Sequence, residues 1–339
     1  VIHNLELGEK QLSSTKKLDE IDAKILKDLL KDGRKNFTKI AEEAGVSKNI
    51  IWQHYKKMKT EGIIAGSTIK LKYANLGYNT MVSLFVNVQP QKQDQILRSI
   101  LKIPNVYSVT PLNTGSDLWV VATLKNNEEL DRVNQSIKKL PSVISVRTEV
   151  WTGIRNTIEH LTVLSTNKTS GKTDTKIQAN NNTGKTTDKI DEIDLQIIEK
   201  LIPNGRQSFR KIAKELKIST DTVSRRFRKL KQNGTIKATI QIDPIKLGYY
   251  ALAYFRLEFV SQQNLSDIIE TLAKIPDLEK IIKTSGSYDV CLFALITNIE
   301  QFIAIQDEIA AISGIRKINT VVQKITYPLP VPGSNMSTF

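Results

Sequence analysis

The chain has 339 residues, a net charge of +14 and a pI near 9.6, a cationic field that suits polyanionic partners. The single Cys291 excludes an internal disulfide and a zinc cluster, and three scattered histidines (His3, His54 and His160) leave no metal triad and few general bases, so no metal and no cofactor is expected. The longest apolar run, near Val290–Ile296, is too short to span a bilayer, and Val1–Lys10 has neither a cationic flank nor a long apolar stretch; a cytoplasmic protein is expected.

In chain order, residues 1–16 read as a tail. At 17–66, Ile21, Ile25, Leu26, Leu29 and Leu30 make a helix face that Gly33 is expected to end. A second short helix, Phe37–Ala44, is followed by a tight turn and a third helix from Ser47 to Lys59, with Ile51, Tyr55 and Met58 as its apolar stripe. Three short helices of this kind are a helix-turn-helix arrangement, and the extended stretch Ile63–Leu71 reads as a wing and linking strand. Residues 67–160 then alternate. Met81–Val88, Val106–Leu112, Leu118–Leu124 and Val143–Trp151 read as strands, and Gln91–Leu101 and Asn127–Leu140 as helices. The order βαββαβ implies an antiparallel sheet with both helices on one face, the ferredoxin-like arrangement. The other face is also apolar, so it is expected to meet another sheet.

Residues 161–188, rich in Thr, Asn, Lys and Gly, read as a flexible linker with a random-coil span on the order of 30 Å. Two Gly-Lys-Thr triplets in it, at 171–173 and 184–186, echo a phosphate-binding loop. They lack the required upstream glycine, since Thr166 and Ala179 stand there. The whole pattern then repeats. At an offset of 172, 18 of the 47 positions from 18 to 64 are identical to their partners, which marks a duplication. The offset slips to 171 at Leu76-Gly-Tyr78 against Leu247-Gly-Tyr249, a slip expected to lie in a loop. The second copy comprises helices at 189–237 and a βαββαβ segment at 238–327, and residues 328–339, broken by prolines, read as a tail. The fold class is therefore α+β: two copies of a winged helix-turn-helix plus a ferredoxin-like βαββαβ domain.

The most informative stretch is Ser219–Lys231. Ser219 is placed to cap a helix whose stripe is Val223, Phe227 and Leu230. Its other face carries Thr222, Ser224, Arg225, Arg226, Arg228 and Lys229, with no acid after Asp221. Such a face suits the major groove of DNA. Phosphate contacts are assigned to Arg206, Arg210, Lys211, Arg228 and Lys229, and base contacts to Thr220, Thr222, Ser224, Arg225 and Arg226. The matching face of the first copy holds Lys48, Asn49, Trp52, Gln53, His54, Lys56 and Lys57. Residues 206–237 carry 11 bases and 2 acids, against 8 and 4 for residues 31–62, so the second copy is the stronger expected phosphate binder.

The two Leu/Ile-Asp-Glu-Ile-Asp runs, the Gly-Arg pairs at 33–34 and 205–206, Lys-Ile-Ala before each turn, Ser219–Leu230, both Leu-Gly-Tyr triplets and Ser285-Gly-Ser-Tyr-Asp289 together resemble the Lrp/AsnC family, the feast/famine regulators. The resemblance covers nearly the whole chain outside linker and tails. It implies transcriptional regulation, binding of double-stranded DNA, dimers joined through the sheets, higher assemblies, and an amino-acid effector. It places the effector site at Ser285, Gly286, Tyr288, Asp289 and Thr320, and in the first copy at Gly115, Asp117 and Thr148, where the family's tyrosine is missing. A hairpin turn with Tyr288 packed at an interface would use the same residues. The tandem scaffold also resembles siroheme decarboxylases of heme biosynthesis, the enzyme alternative to a non-enzymatic regulator. Those rely on His and Arg around the sheet, and neither βαββαβ core here contains a His. Whether the two βαββαβ domains pair within the chain as a pseudo-dimer or between chains as a homo-oligomer is open at this level.

Overall fold

The computed structural model describes residues 18–112, 117–164, 190–261, 265–325, 328–334 and 336. The first copy runs α1 (Glu20–Lys31), α2 (Phe37–Ala44), α3 (Lys48–Thr60), β1 (Ile64–Leu71), β2 (Thr80–Val88), α4 (Gln93–Ile100), β3 (Val106–Pro111), β4 (Asp117–Leu124), α5 (Asn127–Lys138) and β5 (Val143–Asn156). The second runs α6 (Glu192–Leu201), α7 (Phe209–Leu216), α8 (Thr220–Gln232), β6 (Ile236–Ile242), β7 (Ala251–Phe259), α9 (Leu265–Leu272), β8 (Leu278–Ser285), β9 (Val290–Ile296), α10 (Ile299–Ala310) and β10 (Ile315–Lys324).

The head helices start where short polar side chains can hold their free N–H groups. Asp19, Asn36 and Ser47 accept from Asp22, Thr38 and Ile50, and Asp191, Ser208 and Ser219 accept from Asp194, Lys211 and Thr222. Between the second and third helices the chain needs a left-handed residue. Gly45 supplies it in the first copy (φ 67°) and Lys217 in the second (φ 56°).

Eight strands form one sheet in the order β10-β7-β9-β8-β5-β2-β4-β3. Each half has the order expected for βαββαβ, and the halves join where β5 runs antiparallel to β8, with Val150 opposite Ser285 and Asn156 opposite Lys280. That extension carries β5 five residues beyond Trp151, its expected end. Alternation then sorts the side chains. Val82, Leu84 and Val86 face α4 and α5, while Ala253, Phe255 and Leu257 face α9 and α10. The opposite faces meet each other: Trp119 stacks on Tyr254 and Phe293 at centroid distances of 5.7 and 5.1 Å. The two halves thus pair within one chain.

The heads are joined as closely. Strands β1 and β6 pair antiparallel with Thr68 opposite Thr239, so the strand after each third helix bonds to the other copy. One extra residue bulges from β1 between Ile64 and Gly66, and this is where the offset falls from 172 to 171. The slip lies in a strand rather than a loop. Helix α1 already stops at Lys31, so Gly33 serves a different need. A Cβ there would lie 2.6 Å from Thr239 backbone atoms, and one on Gly205 2.0 Å from the Thr68 carbonyl oxygen. The Gly33 and Gly205 amides donate across the same contact, to Ala238 (2.8 Å) and Ser67 (3.1 Å).

The stretches read as a linker start and a tail both pack. Leu161 and Leu164 are buried, and Thr162 donates to the buried Asp277 from its amide and its hydroxyl. Further on, Leu329 pairs with Ile242, and the Gly333 carbonyl accepts from the Tyr73 hydroxyl. The two Gly-Lys-Thr triplets lie outside the described residues.

Inside the sandwich Glu149 is 1% exposed, and neither carboxylate oxygen has a hydrogen-bond partner. Arg147 Nε is 3.7 Å away. Burial pushes this carboxyl above the usual carboxylate range, against the pull of Arg147 and Arg256.

Two outcomes are expected. Gly205→Ala should destabilise the chain by about 1–3 kcal/mol or more in denaturant unfolding, because the facing strand backbone must move. The folded protein holds the Glu149 proton more tightly than the unfolded chain, so stability falls as pH rises through the folded-state pKa. Glu149→Gln should therefore come closest to the parent in thermal melts below about pH 4, where the unfolded carboxyl is also protonated, and exceed it at about pH 8; an unchanged difference across that range would show the buried carboxyl to be ionised without penalty.

Candidate nucleic-acid interface

Helix α8 buries Val223, Phe227 and Leu230 against its head, as its stripe requires. On its outer side Ser219, Thr220, Arg225 and Arg228 are exposed, with Thr222, Ser224 and Lys229 half-buried. The Thr222 and Ser219 hydroxyls lie 2.8 Å apart, and Arg228 Nε is 3.4 Å from the Ser224 carbonyl. Arg210 and Lys211, both exposed on α7, extend the basic surface.

Two of the assigned arginines are engaged elsewhere. Arg226 Nη1 donates to Asp191 at 2.7 Å and to Asp194 at 2.9 Å, tying α8 to the start of α6. Those carboxylates raise the Arg226 pKa, and Arg226 lowers that of Asp191. Arg226, read from the sequence as a base contact, is thus engaged as a brace between the two helices. Arg206 reaches across to the other head. Its Nη1 donates to the Gly33 carbonyl at 2.6 Å, and its guanidinium lies 5.0 Å from the Phe37 ring centroid. Arg34 returns the contact, donating to the Gly205 and Gln207 carbonyls at 2.8 and 2.6 Å and lying 4.4 Å from the Phe209 ring centroid. Burial and the neighbouring Arg206 bring Arg34 down to about 10, which leaves it charged near neutrality. The sequence reading passed over Arg34; its signal was the repeated Gly-Arg pair.

On α3, Lys48, Asn49, Trp52, Gln53, Lys56 and Lys57 are exposed. Trp52 stacks on Tyr55 at 5.9 Å and keeps half its surface in solvent. His54, expected on the reading face, turns inward instead. Its Nδ1 is 2.9 Å from Asp22 Oδ1 and 3.6 Å from Asp19 Oδ2. Three potential metal ligands thus gather where the scattered histidines gave no such sign. His54 and Arg226 are partners at the 172 offset, so the same acidic helix start meets a nitrogen-bearing side chain in each copy, and the cluster reads as a brace.

The proposed effector residues divide. Ser285 and Gly286 are exposed, and Gly286 passes so close to Glu149 that a Cβ would lie 2.8 Å from its Cγ. Tyr288 lies against Arg256, with the guanidinium 4.8 Å from its ring centroid. Asp289 Oδ2 accepts from the Phe259 amide at 2.8 Å, which closes the turn. Thr320 pairs with Phe255 and Thr148 with Leu84, both on helix-covered faces, so neither joins Tyr288. Thr148 donates to Asn134 on α5. Asp117 opens β4 opposite Asn87, and Gly115 lies outside the described residues. A cavity of about 170 Å³ does open beside Tyr288, lined by Phe85, Asn87, Arg147 and Arg256 among others. Those residues were missed, although two arginines on the inner face of an apolar sandwich are a visible break in its alternation.

Comparison with known proteins follows this geometry. A model described as AsnC-type helix-turn-helix domain matches residues 190–231, and one described as winged helix-turn-helix DNA-binding matches 18–65. The Lrp/AsnC ligand binding domain model matches twice, at 81–154 and 252–326. An uncharacterised HTH-type transcriptional regulator of Pyrococcus abyssi is 34% identical over 133 residues, 39% of this chain and 90% of that protein. The HTH-type transcriptional regulator FL11 of Pyrococcus horikoshii is 33% identical over 147 residues, 42% of this chain and 97% of its own. LysM of Saccharolobus solfataricus is 35% identical over 134 residues, 39% of this chain and 92% of its own. The crystal structure of the siroheme decarboxylase NirDL superposes with a TM-score of 0.59 over 95% of this chain and 94% of that one, at 16% identity, a likeness of fold. Its regulator relatives each span about one copy, and both copies carry the family's domains: the chain belongs to the Lrp/AsnC family, with two units in tandem.

Proposed function

We propose that this protein is a sequence-specific transcriptional regulator that binds double-stranded DNA through two unequal heads, at 17–66 and 189–237, and responds to a small effector bound by its βαββαβ domains, at 67–160 and 238–327. The observation that carries the reading is the outer face of α8, where Arg225 and Arg228 are exposed beside Thr220 and no acid follows Asp221. Arg210, Lys211, Arg228 and Lys229 serve the phosphates, and Thr220, Thr222, Ser224 and Arg225 the base edges. Helix α3 offers Asn49, Trp52 and Gln53 between lysines, a different and less charged reading surface. The paired strands β1 and β6 hold the two helices in one fixed relation, so a site with two dissimilar halves is expected. No described helix is long and apolar enough to cross a membrane, and a cytoplasmic location fits the reading.

The likeness to a siroheme decarboxylase makes an enzyme the competing reading; uptake of siroheme with release of CO2 by the purified protein would establish it. DNA binding is tested by anisotropy titrations on genomic fragments over a range of salt. Arg225→Ala should weaken specific binding by about 1–3 kcal/mol. Arg228→Ala should weaken binding to all sequences alike and flatten the salt slope by about 0.9. Arg226→Ala should mainly lower the melting temperature, since it braces α6. Unchanged affinity and slope in an Arg225→Ala, Arg228→Ala double variant would overturn the assignment of α8.

A further inference from the structure

We propose that the seam between the two halves is a binding site for a small dicarboxylate, one molecule per chain, held between Arg147 and Arg256. The inference rests on the effector-binding part of the reading above and is independent of the DNA-binding part. It names both the site and the ligand class.

The cavity of about 170 Å³ takes Phe85, Asn87 and Arg147 from the first half and Arg256, Tyr288 and Val321 from the second. Both guanidiniums lie over the Phe85 ring, with Cζ at 5.0 Å for Arg147 and 5.5 Å for Arg256. Arg256 is steadied further by Tyr288 at 4.8 Å and by Asn319 Oδ1, which accepts from its Nε at 3.1 Å. Rings and an amide orient these two cations without neutralising them. Among the described residues, no carboxylate lines the cavity. The buried Glu149 lies 3.7 Å from Arg147 and is held towards its neutral form.

Two planar cationic forks favour carboxylate groups, which they grip through paired N–H donors. Because the two flank one aromatic ring, the anion that fits has two acidic ends and a short carbon body over Phe85 and Val321. The volume agrees, since a cavity of about 150 Å³ accommodates benzene. Asn87 Nδ2 donates to Ser145 Oγ at 3.1 Å, adding neutral polar groups at the rim.

The site occurs once because the copies have diverged. By the 171 and 172 offsets Arg256 corresponds to Phe85 and Arg147 to Asn319. The mirrored position therefore offers one arginine in place of two, and that arginine is Arg256 itself.

Isothermal titration of the full chain without DNA tests this, with succinate, L-glutamate, inorganic phosphate and L-leucine as probes. A dicarboxylate should bind with one site per chain. Arg147→Gln, a half-exposed position that should leave folding intact, should weaken it at least about tenfold, as should Arg256→Gln. Lys280→Gln, at a second cavity, should leave it unchanged. Saturable binding of phosphate or leucine alone, two sites per chain, dicarboxylate affinity unaffected by Arg147→Gln, or no saturable heat with any probe would each overturn the proposal. Since no DNA is present, failure of the DNA-binding reading would leave these heats untouched, and failure here would leave the anisotropy titrations untouched.

Discussion

The contact on which the arrangement depends is the reciprocal seating of each Gly-Arg pair on the other copy's strand. Gly33 and Gly205 leave no room for a side chain, so β6 and β1 pass directly over them. The arginine that follows each glycine then crosses to the opposite head and lies on its aromatic rings. Close backbone approach, two cross-copy hydrogen bonds from backbone amides and two stacked guanidiniums act in one place. Thr68 and Thr239 complete it by donating to the Ile202 and Leu30 carbonyls, at the ends of the opposite copy's first helices. The heads are thereby set by covalent neighbours of their own sheets, and their spacing follows from strand pairing rather than from a flexible joint.

Duplication followed by divergence explains the interior of the sandwich. Ser83 and Tyr254 occupy equivalent places, as do Trp119 and Cys291. In the first copy the indole donates to the serine; in the second the phenol donates to the cysteine. A small residue beside a large one has become a large residue beside a small one, so total volume is kept while the shape changes. The Cys291 thiol, buried, is pushed up to about 12 and stays inert. At the acidic helix start, likewise, His54 in the first copy stands where the second has Arg226, and each places a side-chain nitrogen within 2.9 Å of the equivalent aspartate.

Much of this was legible in the sequence for a physical reason. Apolar spacing reports burial, so the stripe Val223, Phe227 and Leu230 and the strands Ala251–Phe259 and Val290–Ile296 fall where periodicity puts them. Long-range polar pairing left no such signature. Arg206 and Arg226 sit in a basic run and look like their neighbours, yet each answers to a partner far away in the chain. Thr148 and Thr320 could have been excluded by period two alone, because their neighbours Arg147 and Asn319 hold the inner face. Whether the sheets pair within the chain depends on the β5–β8 junction, and strand alternation says nothing of which edge will meet which.

The stretches that follow the last strand of each copy join the heads to the sandwich. Ile158, Leu161 and Leu164 lie in one continuous apolar cluster with Leu26 and Leu29 of α1 and with Phe85 and Trp119 of the sandwich. The second head closes around its own cluster, with Ile197, Val223 and Phe227 joined by Ile69 and Leu71 of β1 and by nothing from the inner sandwich face. The second head meets the sandwich through the later stretch: the Gly333 backbone passes Ile202 at the end of α6, the Pro332 carbonyl accepts from the Tyr107 hydroxyl of β3, and Tyr73 lies edge-on to Tyr107. Each head is thus seated on the stretch that follows its own copy's last strand, 158–164 for the first and 328–334 for the second, so the end of each βαββαβ domain also serves as the floor of its head.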